Sequence, residues 1–136
     1  MQDWKIDLAL RLKESKMQTI YERLGAENLE LLVENFYDLV MQNEKIAPLF
    51  KTDINEVKRK QFMFLTQFFG GPGLYAAEFG HPRMRMRHMP HKIDEGATIE
   101  WLLCMKGAIM KLPIEVEFQN EIFQRFPQVA AHMMNS

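Results

Sequence analysis

The 136-residue sequence predicts an all-α fold. Apolar residues recur at helical spacing along almost the whole chain, no credible alternating strand pattern occurs, and the strongest Gly/Pro cluster falls between two helical stripes. Residues 1–16 place Trp4, Leu8 and Leu12 four apart, a short amphipathic helical extension ahead of one domain over 17–136. Leu29, Leu32, Val33, Phe36, Tyr37 and Val40 then follow the i, i+3, i+4, i+7 pattern of a helix with one buried stripe. Val57, Gln61, Phe64, Leu65 and Phe68 repeat the pattern, and Gly70-Gly71-Pro72-Gly73 stops that helix. A connection of twenty residues follows, too long to be idle in a compact domain. Trp101, Leu102, Met105, Ile109 and Leu112 form a third stripe. It is entered at Asp94, a good N-cap, with Glu95 favouring the positive helix end. Phe118, Ile122, Phe126, Val129 and Met133 line a fourth, which Pro127 kinks or restarts.

Composition narrows the function classes. With 47% apolar and 26% charged residues the chain is an ordinary globular one. Its length buries roughly two-thirds of the unfolded surface without help from a disulfide or metal. Seventeen Lys+Arg against eighteen Asp+Glu leave a net charge of −1, which disfavours a globally basic nucleic-acid binder. One cysteine, Cys104, forbids an internal disulfide and a Cys-rich zinc module. The first fourteen residues mix acids and bases without an apolar core, and no run of eighteen apolar residues occurs. A cytoplasmic protein with neither membrane nor nucleic-acid partner is expected. Eleven Met and ten Phe supply soft and flat side chains suited to an adaptable apolar pocket.

Three features carry candidate chemistry. Gln61 and Tyr37 are polar groups set in apolar stripes, and Trp101 is a third hydrogen-bond donor on another helix. Donors converging on an apolar cavity are what dioxygen, peroxide or another small polar ligand needs. His88 lies between Pro82 and Pro90, and a neutral imidazole is the commonest metal ligand. Without a Cys-x-x-Cys-His attachment, any haem is held non-covalently. The stretch His81–Lys92 holds three His, three Arg, one Lys and no acid, so Arg83, Arg85, Arg87 and Lys92 call for an anionic partner.

Together these residues resemble the truncated haemoglobins, and within them the second group. The resemblance runs through Phe36-Tyr37, Phe50, Gln61 with Phe64-Leu65, Gly70-Gly71-Pro72 and Tyr75. It continues through Gly80-His81-Pro82-Arg83-Met84-Arg85-Met86-Arg87-His88 and Trp101-Leu102-Leu103-Cys104-Met105. The combination of Gly-His-Pro-x-x-x-x-x-His with Trp thirteen residues on is the specific part. The resemblance implies a 2-on-2 helical sandwich around haem b, with His88 as the proximal iron ligand. It implies Tyr37, Trp101 and Gln61 as distal donors to the ligand. Phe50, Val57, Phe64 and Leu65 become apolar haem contacts, Val57 standing where many globins carry a distal His. Lys60, Tyr75 and Arg87 fall at propionate positions. His91 departs from the family, where Phe is usual, and Pro127 interrupts a last helix that is usually continuous.

The function this implies is binding of dioxygen and the related diatomics NO and CO. Three donors slow ligand release, which suits sensing, NO dioxygenation or peroxidase-like chemistry, with a separate reductase, rather than bulk oxygen transport. Two rivals stand beside it: a non-haem metal protein using His81, His88, His91 and Cys104 for zinc, and an anion-binding helical adaptor using Arg83, Arg85 and Arg87.

Overall fold

The computed structural model describes residues 18–50, 53–80 and 94–133, with side chains to Ala130. Helices and turns account for these residues, with no strand among them. The first 17 residues, the connection over 81–93 and the last three lie outside the described residues. The helical extension, His88 and Arg87 fall there.

The described residues form seven α-helices: α1 (Ile20–Leu24), α2 (Ala26–Gln42), α3 (Ile54–Phe68), α4 (Leu74–Phe79), α5 (Glu95–Met110), α6 (Val116–Phe123) and α7 (Phe126–Met133). A 3₁₀ turn over Ala47–Leu49 joins α2 to the segment before α3. The α2 stripe is buried as expected: Leu29, Leu32, Val33, Phe36, Tyr37 and Val40 all enter the core. That buried face packs on α3 and on α5, and α5 packs in turn on α6 and α7. Asn35 Nδ2 donates to the Ala108 carbonyl (3.4 Å) and Asn43 Nδ2 to the Glu100 carboxylate (2.8 Å), so α2 and α5 run antiparallel. The α2/α3 and α5/α6–α7 groups make the two halves of the sandwich.

Local chemistry sets each boundary. Asp94 caps α5 by accepting from the Ala97 N–H at 2.8 Å, as its position predicts. Gln119, buried, closes the other end of α5: its Nε2 donates to the Leu112 carbonyl (3.1 Å) and the Met110 carbonyl (3.3 Å). Pro127 starts a new helix rather than kinking an old one. It sits in the first turn of α7, where its missing N–H costs nothing, and α6 ends at Phe123.

Two helices are additions to the expected set. Helix α1 is too short to show a stripe, but Thr19 and Glu22 form a capping box at its start. Helix α4 lies inside the stretch expected as a connection. It has only six residues, and its support is tertiary: Arg59 pairs with Glu78 at 2.9 Å, and Gln67 Oε1 accepts the Ala76 N–H at 2.9 Å.

The Gly70-Gly71 corner explains itself in packing. Gly70 has φ +91°, and a β-carbon on Gly71 would lie 2.6 Å from the Tyr21 ring and 2.9 Å from the Thr66 carbonyl oxygen. The Tyr21 N–H donates to the Phe69 carbonyl at 2.9 Å, stapling α1 over the end of α3. Only glycine admits both the turn and the ring.

Candidate haem pocket

The two long helices flanking the site treat their apolar faces differently. On α2 the stripe is fully covered. On α3 only Leu65 of the expected stripe is buried, whereas Val57, Gln61, Phe64 and Phe68 are half-buried over successive turns, the three apolar ones packing partly against the core. An apolar helix face left partly uncovered over several turns is a surface that an apolar ligand can complete.

Around that face the rings form a continuous arc. Phe50 meets Tyr37 edge-on (5.6 Å between centroids), Tyr37 meets Phe36 (4.9 Å), and Phe36 meets Trp101 (5.5 Å). Trp101 contacts Phe126 (5.9 Å), which touches Phe68 (5.6 Å), and Phe68 stacks on Phe64 (5.7 Å). Phe64 then meets Tyr75 (5.6 Å) and Tyr75 meets Phe79 (4.9 Å). Five expected site residues (Tyr37, Phe50, Phe64, Tyr75 and Trp101) thus lie on one connected wall drawn from α2, α3, α4, α5, α7 and the 3₁₀ corner. Asn43 fixes that corner, its Oδ1 accepting the N–H groups of Lys45 (3.0 Å) and Ile46 (3.2 Å).

Tyr37 is the chemically pointed member. It is only 2% exposed, and its hydroxyl makes no hydrogen bond to any described residue. No sealed side-chain nitrogen or oxygen among the described residues lacks a partner, so this unpaired oxygen borders accessible space. Burial pushes its ionisation far above the ordinary tyrosine range, so the group is a neutral donor at every physiological pH. The Trp101 indole is half-buried and, like the Gln61 amide, has no hydrogen-bond partner among the described residues. These three donors come from α2, α3 and α5.

At the other end of the wall the side chains are charged. Lys60 is exposed, its ammonium lies 5.3 Å from the centre of the Phe79 ring, and the Glu56 and Glu78 carboxylates, both paired with Arg59, lie within its electrostatic reach. Tyr75 shares that ring, so Lys60 and Tyr75 occupy one rim. Leu65, by contrast, is covered by the protein itself within the core.

Four wall residues went unassigned in the sequence. Phe36, Phe68 and Phe126 were legible only as stripe members, because periodicity gives burial but not what a ring bridges. Phe79 lies in α4, which no periodicity announced. The zinc set finds no support: Cys104 is buried and desolvation raises its thiol above the usual range, with Glu100 adding to the effect, while His81, His88 and His91 lie outside the described residues.

The fit to haem therefore rests on two counts: a partly covered apolar face on α3, and on the adjoining α2 a buried donor with no partner among the described residues. Fold and wall together define a haem-based ligand-binding protein of the globin class. The bacterial-like globin family model matches residues 19–135, and the chain belongs to that family, with the group II truncated haemoglobins as its relatives. It is 43% identical over 115 residues to the group 2 truncated hemoglobin YjbI of Bacillus subtilis, covering 85% of this chain and 87% of that one. The crystal structure of the group II truncated hemoglobin from Bacillus anthracis superposes with a TM-score of 0.82 at 38% identity, covering 88% of this chain and 92% of that one. The X-ray structure of a truncated oxygen-avid haemoglobin from Bacillus subtilis gives 0.81 at 42% identity, covering 87% and 100%.

Proposed function

We propose that this chain binds haem b through His88 and retains dioxygen, NO or CO beside Tyr37, Trp101 and Gln61 for reaction or sensing in the cytoplasm, rather than for bulk transport. The observation that carries the reading is the Tyr37 hydroxyl: buried, neutral, bordering accessible space and without a hydrogen-bond partner among the described residues. Haem supplies the iron that binds a diatomic ligand. Every other part of the chemistry falls to the chain.

Tyr37 holds its proton at Oη and offers it as a hydrogen bond. Phe36 and Phe50 both meet its ring edge-on, which limits where Oη points. The Trp101 indole is a donor with no acceptor capacity, so it favours the end of a ligand that gathers negative charge. Gln61 presents an amide able to donate or accept. Val57, Phe64 and Phe68 offer the apolar face and exclude water, which strengthens each of these bonds. Lys60 and Tyr75, with Arg87, serve the carboxylates of the propionates.

Each donor contributes about 1 kcal/mol to the retained ligand, and about 1.4 kcal/mol slows release tenfold. Slow release suits NO dioxygenation, peroxide reduction or sensing, with an electron-donating reductase as partner wherever turnover consumes electrons. The Bacillus subtilis relative described as oxygen-avid agrees with this sense of the effect.

The test is the visible spectrum of the purified protein titrated with haem. A Soret band is expected in the parent chain, lost in His88→Ala and restored there by free imidazole. A band abolished by His81→Ala or His91→Ala but not by His88→Ala would transfer the iron to another histidine. A colourless protein with stoichiometric zinc would refute the reading altogether.

A further inference from the structure

Helix α4 is the least self-sufficient element of the fold. It has six residues, none of them buried, set between Gly73 and Gly80. A helix of that length does not persist in water on its own. Gly80 takes φ +78°, and a β-carbon there would touch nothing, so this glycine serves the turn of the chain rather than its packing. Two polar side chains of α3 tie the short helix down. Arg59 Nη1 and Nη2 donate to the Glu78 carboxylate (2.9 and 3.0 Å), and Gln67 Oε1 accepts the Ala76 N–H (2.9 Å).

Arg59 is prepared for this by its own helix. Its Nε and Nη2 donate to the Glu56 carboxylate one turn earlier (3.1 and 2.7 Å), and Nη1 reaches the Met63 sulfur one turn later (3.3 Å). The guanidinium plane is thus set on α3 before Glu78 meets it. A lone exposed ion pair contributes little, but a fork that engages both oxygens of two carboxylates is the geometry in which an exposed pair does contribute. Hydrogen bonds from Arg59 hold both carboxyls below the ordinary range, so the clamp stays charged at neutral pH. Arg59, Met63 and Gln67 make one row along α3 at four-residue spacing, and Lys60 and Phe64 make the row beside it. On that second row α4 lays its two rings. Tyr75 meets Phe64 edge-on (5.6 Å), and Phe79 faces the Lys60 ammonium (5.3 Å). The polar ties at Arg59 and Gln67 stand about 12 Å apart along α3, one on each side of Phe64. They bracket the ring contact that closes this edge of the wall.

We propose, resting on the haem reading above, that Arg59 is a positioning residue for the haem edge: clamped between Glu56 and Glu78, it latches α4 onto α3, keeps Tyr75 on Phe64, and by its release sets how fast haem leaves. The donors to the bound ligand lie further along the wall. Trp101 is linked to Phe64 through Phe126 and Phe68, so they keep their places when α4 opens. The latch therefore governs retention of haem and not retention of its ligand.

The test compares Arg59→Met with the parent full chain in two measurements: amide hydrogen exchange without haem, and haem transfer to an acceptor protein after loading. The Ala77 and Gly80 amides, bonded to Gly73 and Ala76, and the Ala76 amide, bonded to Gln67, are expected to exchange about fivefold faster in the variant. Amides of α2 and α5 keep their parent rates. Haem transfer quickens about as much as α4 opening, while the Soret band and the dioxygen release rate stay at parent values. Combining Arg59→Glu with Glu78→Arg puts the cation on the other side of the clamp, facing Glu56, and is expected to recover both rates. Unchanged exchange in α4 overturns the proposal. Exchange that quickens equally in α2 and α5 also overturns it, because Arg59 then serves overall stability. So does an α4 that loosens while haem leaves at the parent rate. A chain that takes up no haem overturns the haem reading and this inference together, and the amide exchange, which needs no haem, tells that failure apart from failure of the latch.

Discussion

Tyr37→Phe separates the ligand-binding role of this residue from its packing role, because the two move in opposite directions. The ring stays between Phe36 and Phe50, whose centroids lie 4.9 and 5.6 Å away, so the apolar contacts survive. Only the hydroxyl goes, and it has no hydrogen-bond partner among the described residues. Burying such a group unpaired costs about 1–3 kcal/mol, and less where it borders accessible space. The haem-free chain is therefore expected to keep its stability or gain up to about 1 kcal/mol. In the loaded protein the same change removes one donor from the ligand, worth about 1 kcal/mol, and release accelerates about fivefold. Stopped-flow release of dioxygen from the reduced, loaded protein gives the second number, and urea unfolding of the haem-free chain gives the first. A variant that loses more than 1 kcal/mol of stability while releasing ligand at the parent rate would show that the hydroxyl serves the fold, and would refute the argument.

The remaining expectations are more compact. Trp101→Phe also speeds release, and because the two donors share one ligand the double variant with Tyr37→Phe is non-additive; strictly additive free energies in a double-mutant cycle would count against convergence. Lys60→Ala speeds transfer of haem to an acceptor protein at low salt, and the effect shrinks as salt rises; a salt-independent rate would remove Lys60 from the rim. Tyr37 also makes a stability–pH signature. Below pH 10 the hydroxyl is protonated in both states, but above it the unfolded chain ionises while the folded one keeps its proton. Stability then falls by up to about 1.4 kcal/mol per pH unit, a slope that Tyr37→Phe should remove from urea midpoints measured above pH 10. Gly71→Ala loses about 1–3 kcal/mol in thermal unfolding, because its β-carbon meets the Tyr21 ring at 2.6 Å; an unchanged melting temperature would mean that the α1 staple yields freely.

What the sequence could and could not disclose follows from the range of each signal. The α2 stripe was readable to the residue, since a buried helix face imposes its period on seventeen consecutive positions. Asp94 and Pro127 were readable for a similar reason: capping and the missing N–H act within one turn, where sequence neighbours are also spatial neighbours. Helix α4 was not, because six residues hold too little period and its stability comes from Arg59 and Gln67, both on α3. The incomplete burial of α3 was hidden for the opposite reason. Its stripe has the right period, but a period cannot say whether protein or something else covers the face, and only packing shows Val57, Gln61, Phe64 and Phe68 half-buried. The donors stand between these cases. Tyr37, Gln61 and Trp101 were conspicuous as polar groups on apolar faces. That Tyr37 reaches Trp101 through Phe36 depends on where α2 crosses α5, a contact between residues more than sixty positions apart. Anomaly is thus written locally and convergence is not, so a buried tyrosine can be suspected from sequence, while its unpaired hydroxyl is a property of the fold alone.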